Sequence, residues 1–145
     1  MRSRLLSTDG GRRTMVLVFD IGDEVAEGLT AFATEHGLTG SAFTAIGALR
    51  EVTLGYWNWD TKAYERIEIG EQVEVVSLSG NLALGPNGEP KLHAHLVVAK
   101  RDGSAHGGHL LRAIVRPTLE VVLTELPAEL HRRTDEATGL ALLAP

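Results

Sequence analysis

Residues 92–110 read LHAHLVVAKRDGSAHGGHL and hold four of the chain's six histidines, His93, His95, His106 and His109. In an extended strand side chains alternate between faces. His93 and His95 therefore share one face, with Leu92, Ala94 and Leu96 on the other. RDGS at 101–104 is a hairpin signal, because Asp-Gly readily takes up the turn, so the chain returns beside its own first strand. His106 and His109 lie on that return. Gly107 and Gly108 have no Cβ, which lets the backbone approach closely or adopt a positive φ next to His109. His109 can then turn toward His93 and His95. Three neutral imidazoles suit Zn²⁺ and other first-row divalent metals, and leave a fourth position for water, a ligand or a group from another subunit. The competing reading is a set of unconnected polar side chains on a solvent-facing strand. His106, near the turn, reads as solvated.

A carboxylate could join such a site. In TLEVVLTEL (118–126), Thr118, Glu120, Val122 and Thr124 share one face and Leu119, Val121 and Leu123 form the other, core face. Glu120 is either a solvated or salt-bridged strand residue, or a metal ligand, a partner to an imidazole, or the base for a metal-bound water. His36 falls in the last turn of a helix, where its role is structural. Tyr56, Trp57 and Trp59 in LGYWNWD group as core or interface packing, with a ligand platform as the sharper alternative. No Walker loop, strand-borne GxGxxG or G-x-S-x-G elbow occurs.

The elements that must position the histidines follow from periodicity. TMVLVF (14–19) is a run of β-formers. Val25, Leu29, Phe32 and His36 repeat at helical spacing, which predicts a helix over 23–36, capped by Asp20 or Asp23 and stopped by Gly37. SAFTAIGAL, EVTLGYWNW, AYERIEI, EQVEVVSLSGNLAL, KLHAHLVVAK and TLEVVLTEL read as strands, with GPNGEP (85–90) a turn. After Pro127 a short helix, AELHRRTD, is expected, and the apolar tail GLALLAP should pack on the domain. The pattern is α+β: one long helix, a short C-terminal helix and a mostly antiparallel sheet that can curl into a partial barrel. Residues 1–145 form one domain, with 1–13 a flexible or edge arm.

Composition narrows the function. There is no cysteine, which excludes disulfides and thiolate sites and fits a reducing cytoplasm. No apolar run approaches the ~20 residues needed to span a bilayer, so no membrane partner is expected. The net charge of −5 argues against a domain that grips duplex DNA through its own basic face. Four arginines, Arg2, Arg4, Arg12 and Arg13, make at most a small basic arm.

Together, FTAIGAL, LGYW, VVSLSGNLA, LHAHLVVAKRDGSAHGGHL and VRPTLEVVLTEL resemble the PPC (plant and prokaryote conserved) domain, from about residue 14 to the C-terminus. In land plants this domain follows AT-hook segments in nuclear proteins; in prokaryotes it usually stands alone. The resemblance implies an α+β fold, a homotrimer and a bound metal, usually zinc, held by His93, His95 and His109. Gly107, Gly108 and Glu120 match further positions of the motif, and His106 lies outside it. The AT-hook's Arg-Gly-Arg-Pro core is absent, GGRR (10–13) being the nearest approach, so direct DNA binding is not expected. The leading expectation is a metal-binding homotrimer that can take a small-molecule ligand at the metal, with enzymatic activity left open and not favoured. The alternatives are a metalloenzyme with Glu120 as base, a DNA-associated regulator and a protein-association module.

Overall fold

The structure is a computed structural model and describes residues 1–144. In chain order it contains β1 (Arg2–Asp9), β2 (Arg12–Phe19), α1 (Val25–Glu35), β3 (Gly40–Asn58), β4 (Ala63–Ile69), β5 (Val73–Leu84), β6 (Pro90–Ala99), β7 (Ala105–Glu125), β8 (Arg132–Thr134) and β9 (Ala141–Leu143). Seven strands form one sheet in the order β1-β2-β7-β6-β5-β3-β4, every pair antiparallel. β3 also pairs with β7. Pairing therefore runs from β3 through β5 and β6 to β7 and back to β3, giving a partial ring. No helix is long and apolar enough to cross a membrane.

Alternation sets the inner face. Met15, Leu17 and Phe19 of β2 and Leu119, Val121 and Leu123 of β7 point into the core, while Glu120, Val122 and Thr124 point out, as the sequence pattern predicts. SAFTAIGAL and EVTLGYWNW merge into one strand, β3, bent at register shifts near Gly47, Leu49 and Thr53. A bulge keeps a strand continuous while turning it, which is why one long strand replaces two short ones. At Gly47 (φ 151°) a Cβ would stand 2.3 Å from the Thr118 carbonyl oxygen, so the bend needs glycine.

The helix forms where the periodicity puts it, burying Val25, Leu29, Phe32 and Ala33, but its cap differs. Glu24, not Asp20 or Asp23, is the N-cap, and its carboxylate accepts from the Glu27 N–H at 2.6 Å. The Asp23 carboxylate is already engaged by the Asp20 N–H and the N-terminal ammonium, each at 2.9 Å. At the other end Gly37 (φ 62°) turns the chain, and the Leu38 N–H bonds the Ala33 carbonyl at 2.9 Å. Gly28 lies against Phe19, which is wholly buried; a Cβ there would come within 2.4 Å of the ring. Gly28→Ala improves helix propensity by about 1 kcal/mol. We expect it nonetheless to destabilise the protein by about 1–3 kcal/mol through overpacking, read as a lowered urea midpoint at unchanged slope.

The C-terminal helix expected at AELHRRTD is not there. The backbone of Leu130 donates to Thr39 and accepts from Leu84, and β8 pairs with β9 as a small hairpin. A short helix must bear its nucleation cost alone, and here the backbone finds partners on neighbouring strands instead.

Three of the four N-terminal arginines, Arg2, Arg12 and Arg13, are ion-paired. Arg2 pairs with Asp20 and Arg12 with Asp9, and β1 is paired strand at the sheet edge. Arg13 is built into the fold. Its Nε donates to Glu125 Oε2 at 2.8 Å, its backbone N–H bonds the same oxygen at 2.8 Å, and Nη2 reaches the His36 carbonyl at 3.0 Å. Arg13 holds the Glu125 carboxyl below the usual carboxylate range. A depressed carboxylate contributes stability above its unfolded value of about 4.3, and that stability is lost as pH falls through the folded value. Glu125→Gln should therefore cost about 1–3 kcal/mol at pH 7, and the gap between variant and parent should shrink below about pH 4, in urea titrations at both pH values.

Candidate metal centre

β6 and β7 bring the histidines together. His95 lies directly opposite His109 in the register, and cross-strand partners share a face with their Cβ atoms about 5 Å apart. His93, two residues before His95, joins the same face. The three ring centroids form an equilateral triangle with sides of 5.2 Å. One ring nitrogen of each lies within 4.8 Å of the others. His93 Nε2 and His95 Nε2 are 3.2 Å apart. Zinc–nitrogen bonds of 2.0–2.1 Å in a tetrahedron separate the nitrogens by roughly 3.3–3.4 Å. The donor set and its spacing fit such an ion.

Tyr64, in the strand AYERIEI, supports His109. Its ring stacks on the imidazole with centroids 4.7 Å apart, and its hydroxyl lies 3.4 Å from His109 Nδ1. With Nδ1 facing the hydroxyl, Nε2 is the nitrogen left for a ligand. Gly55, opposite His109 on β3, makes room: a Cβ there would stand 2.8 Å from Tyr64 Cδ1. A glycine inside a strand marks close approach, and Gly55 in LGYW was the signal that a side chain crosses the strand at that point.

Gly108 does the same on β7. A Cβ would meet the Gly55 carbonyl oxygen at 2.9 Å and Leu54 Cβ at 3.1 Å. Neither Gly107 nor Gly108 has a positive φ, so of the two uses foreseen for this pair, close approach is the one found.

Burial lowers the pKa of His109 to about 4, with His93, His95 and Arg132 adding repulsion. His93 is lowered by burial first, then by Arg132 and His95. Imidazole is the ligand form at neutral pH, so both groups are ready to bind metal. As pH falls below the ordinary histidine range, the unfolded chain takes up protons that the folded site refuses, and the metal-free fold loses stability.

His106 pairs with Val98, three residues before His109 and so on the opposite face. Glu120 stands eleven positions beyond His109 on β7 (109 to 120), opposite Val18 and Ile46 and exposed. The structure does not bring it to the histidines. Among the described residues, neither cleft bordering the cluster is lined by an Asp or Glu. Trp57 packs edge-on against Tyr64, 5.0 Å between centroids, while Trp59 is exposed beneath the Lys62 ammonium. His36 is the helix C-cap and stacks on Phe32 at 3.9 Å, a structural role.

The C-terminal tail closes one side of the site. Leu140, Ala141 and Leu142, with Tyr64, His93, His109 and Arg132, line a cavity of about 240 Å³. Arg132 is 4% exposed, and no local pattern in the sequence distinguishes it from its neighbour Arg133.

Comparison with known proteins agrees with this architecture. The model of the Plants and Prokaryotes Conserved (PCC) domain matches residues 6–127. The crystal structure of a plant- and prokaryote-conserved (PPC) protein from Pyrococcus horikoshii superposes with a TM-score of 0.85 at 30% identity, covering 92% of each chain. A metal-containing protein from Archaeoglobus fulgidus superposes with a TM-score of 0.84 at 32% identity, covering 99% of this chain and 97% of that one. Among curated proteins, the bifunctional protein GlmU of a Synechococcus strain is 34% identical over 121 residues, which is 81% of this chain but 18% of GlmU. The chain thus spans under a fifth of that relative's length. With the family's domain matched over most of its length and the same fold in relatives at about 30% identity, this chain belongs to the Plants and Prokaryotes Conserved domain family.

Proposed function

We propose that this protein binds one zinc ion per chain through His93, His95 and His109, works as a homotrimer, and serves in binding rather than catalysis. The observation that carries the metal reading is the triangle of imidazoles with two Nε2 atoms 3.2 Å apart. Two imidazole nitrogens at that separation, with a third within reach, have the spacing of ligands on one tetrahedral ion. The description of the Archaeoglobus relative as metal-containing supports the same reading. When bound, zinc would supply Lewis acidity beside the cavity. The chain's own part is to orient three imidazoles, with Tyr64 behind His109. No carboxylate base stands beside them among the described residues, which favours a binding role over a hydrolytic one.

Association as a trimer is supported by the family resemblance and by apolar side chains on outward strand faces. Ile46, Val76, Val97 and Val122 are all more than a third exposed. Direct DNA binding is not part of this reading, given the net charge of −5.

The test is elemental analysis by mass spectrometry of untagged protein, beside the His93→Ala/His95→Ala variant, with the mass in solution measured by light scattering. We expect about one zinc per chain in the parent, none in the variant, and a mass three times that of the chain. A parent that holds no metal after incubation with zinc would sink the metal reading. A monomeric mass would sink the trimer alone.

A further inference from the structure

Among the described residues, Arg132 is a buried cation without a counter-ion. Its Nη2 donates to Asn81 Oδ1 and its Nη1 to the Ala141 carbonyl at 3.3 Å, both neutral acceptors. Its Nε is buried and has no hydrogen-bond partner. Among the described residues, no Asp or Glu pairs with it, and burial alone acts on its pKa, lowering it. A guanidinium enclosed this way is costly unless an anion meets it.

The cavity beside the histidines is where an anion would meet it. Asn81, which anchors the guanidinium, lies directly opposite His93 across β5 and β6. Arg132, His93 and His109 line one cavity of about 240 Å³, room for roughly eight water volumes or a molecule of a few carbons. The remaining wall includes Leu92, Leu140 and Leu142. Lys91 lines it as well, so the cavity combines cationic and aliphatic side chains.

We propose that this pocket binds a small organic monocarboxylate with a short aliphatic chain, its carboxylate held by the Arg132 guanidinium and its chain against the leucines. The inference rests on the metal reading only in that zinc on the three histidines would add positive charge beside the same pocket. A planar guanidinium whose Nε–H has no partner matches a carboxylate. A phosphate, with more charge and no apolar part, would leave the leucine wall unused.

The experiment is a titration of ¹⁵N-labelled protein, zinc-loaded and EDTA-treated, with sodium butyrate, sodium acetate and inorganic phosphate at constant ionic strength. The readout is the arginine Nε–H resonances, with that of Arg132 identified by its loss in Arg132→Lys. A saturable shift of the Arg132 signal with butyrate is expected, about tenfold tighter than with acetate for two added methylenes. The butyrate affinity, read on the His109 side-chain signals, should fall at least tenfold in Arg132→Lys. Should that variant fail to fold, Leu142→Trp serves: Leu142 is 40% exposed at the rim, so the fold is spared while the cavity is filled, and the butyrate shift should vanish. No saturable butyrate shift in zinc-loaded protein, an affinity unchanged by either substitution, or phosphate binding tighter than butyrate would overturn the proposal. Zinc is counted on the same samples. One zinc per chain without a butyrate shift sinks this inference alone, whereas an Arg132-dependent shift in protein that takes up no zinc supports it and sinks the metal reading alone.

Discussion

His109→Ala is expected to weaken zinc binding by at least a hundredfold and to abolish the rise in Tm that zinc gives the parent. Loss of an outer partner to a metal ligand already costs 10–100-fold, so loss of one of three ligands sets a higher floor. Zinc at a hundred times its Kd stabilises the folded state by about 2.7 kcal/mol. For a chain of this size that is a shift of roughly 6–12 °C. The control is His106→Ala. His106 is on the same strand, three residues away, but on the other face, and should keep the whole shift. Differential scanning fluorimetry with and without zinc reads both variants. Equal shifts in the two variants would mean that the metal does not sit on the His93–His95–His109 face, whatever the stoichiometry.

Only half of that contrast was legible in the sequence: period two and a hairpin bring His93, His95 and a returning strand together, but the loop length that fixes which face His106 and His109 take was seen only in the register. Alternation places His93 and His95 together, Asp102-Gly103 turns the chain, and the return register decides between His106 and His109. The inner face of β7 and the span of α1 were legible for the same reason: Leu119, Val121 and Leu123, and Val25, Leu29 and Phe32, are patterns a single element can set. What was not legible depends on contacts between distant segments. The Glu24 cap wins because the Asp23 carboxylate is taken up by the N-terminus and Asp20. AELHRRTD reads as a short helix, yet the backbone of Leu130 within it is claimed by Thr39 and Leu84. Tyr64 and Arg132 reach the site across strands and from the tail, and nothing within a few residues of either announces it. Glu120 is the converse case: its motif position is matched, but the strand carries it away from the histidines.

The two adjacent glycines before His109 look equivalent in the sequence, and the structure predicts that they are not. At Gly108 a Cβ would press on the Gly55 carbonyl at 2.9 Å and on Leu54, which is fully buried, so neither neighbour can yield without moving a strand. At Gly107 a Cβ would meet Val97 Cγ2 at 3.3 Å, on a side chain that is 37% exposed and free to shift, and the Leu96 carbonyl oxygen at an ordinary 3.5 Å. Neither residue has a positive φ, so the effect is one of space and not of backbone strain. Gly108→Ala should therefore cost about 2–3 kcal/mol, a fall in Tm of roughly 5–10 °C, whereas Gly107→Ala should stay within about 1 kcal/mol. The penalty should carry over to the site, because relief of the Gly108 clash moves β7 away from β3, and His109 rides on β7 while Tyr64 reaches it across β3. Zinc affinity should fall by about tenfold or more in Gly108→Ala and remain near the parent's in Gly107→Ala, measured by competition with a chromogenic chelator. Equal losses in the two variants would show that the Gly-Gly pair acts through chain flexibility. A stability loss in Gly108→Ala with affinity intact would show that the imidazole triangle is held by β6 and its ligand alone, without the close packing of β7 on β3.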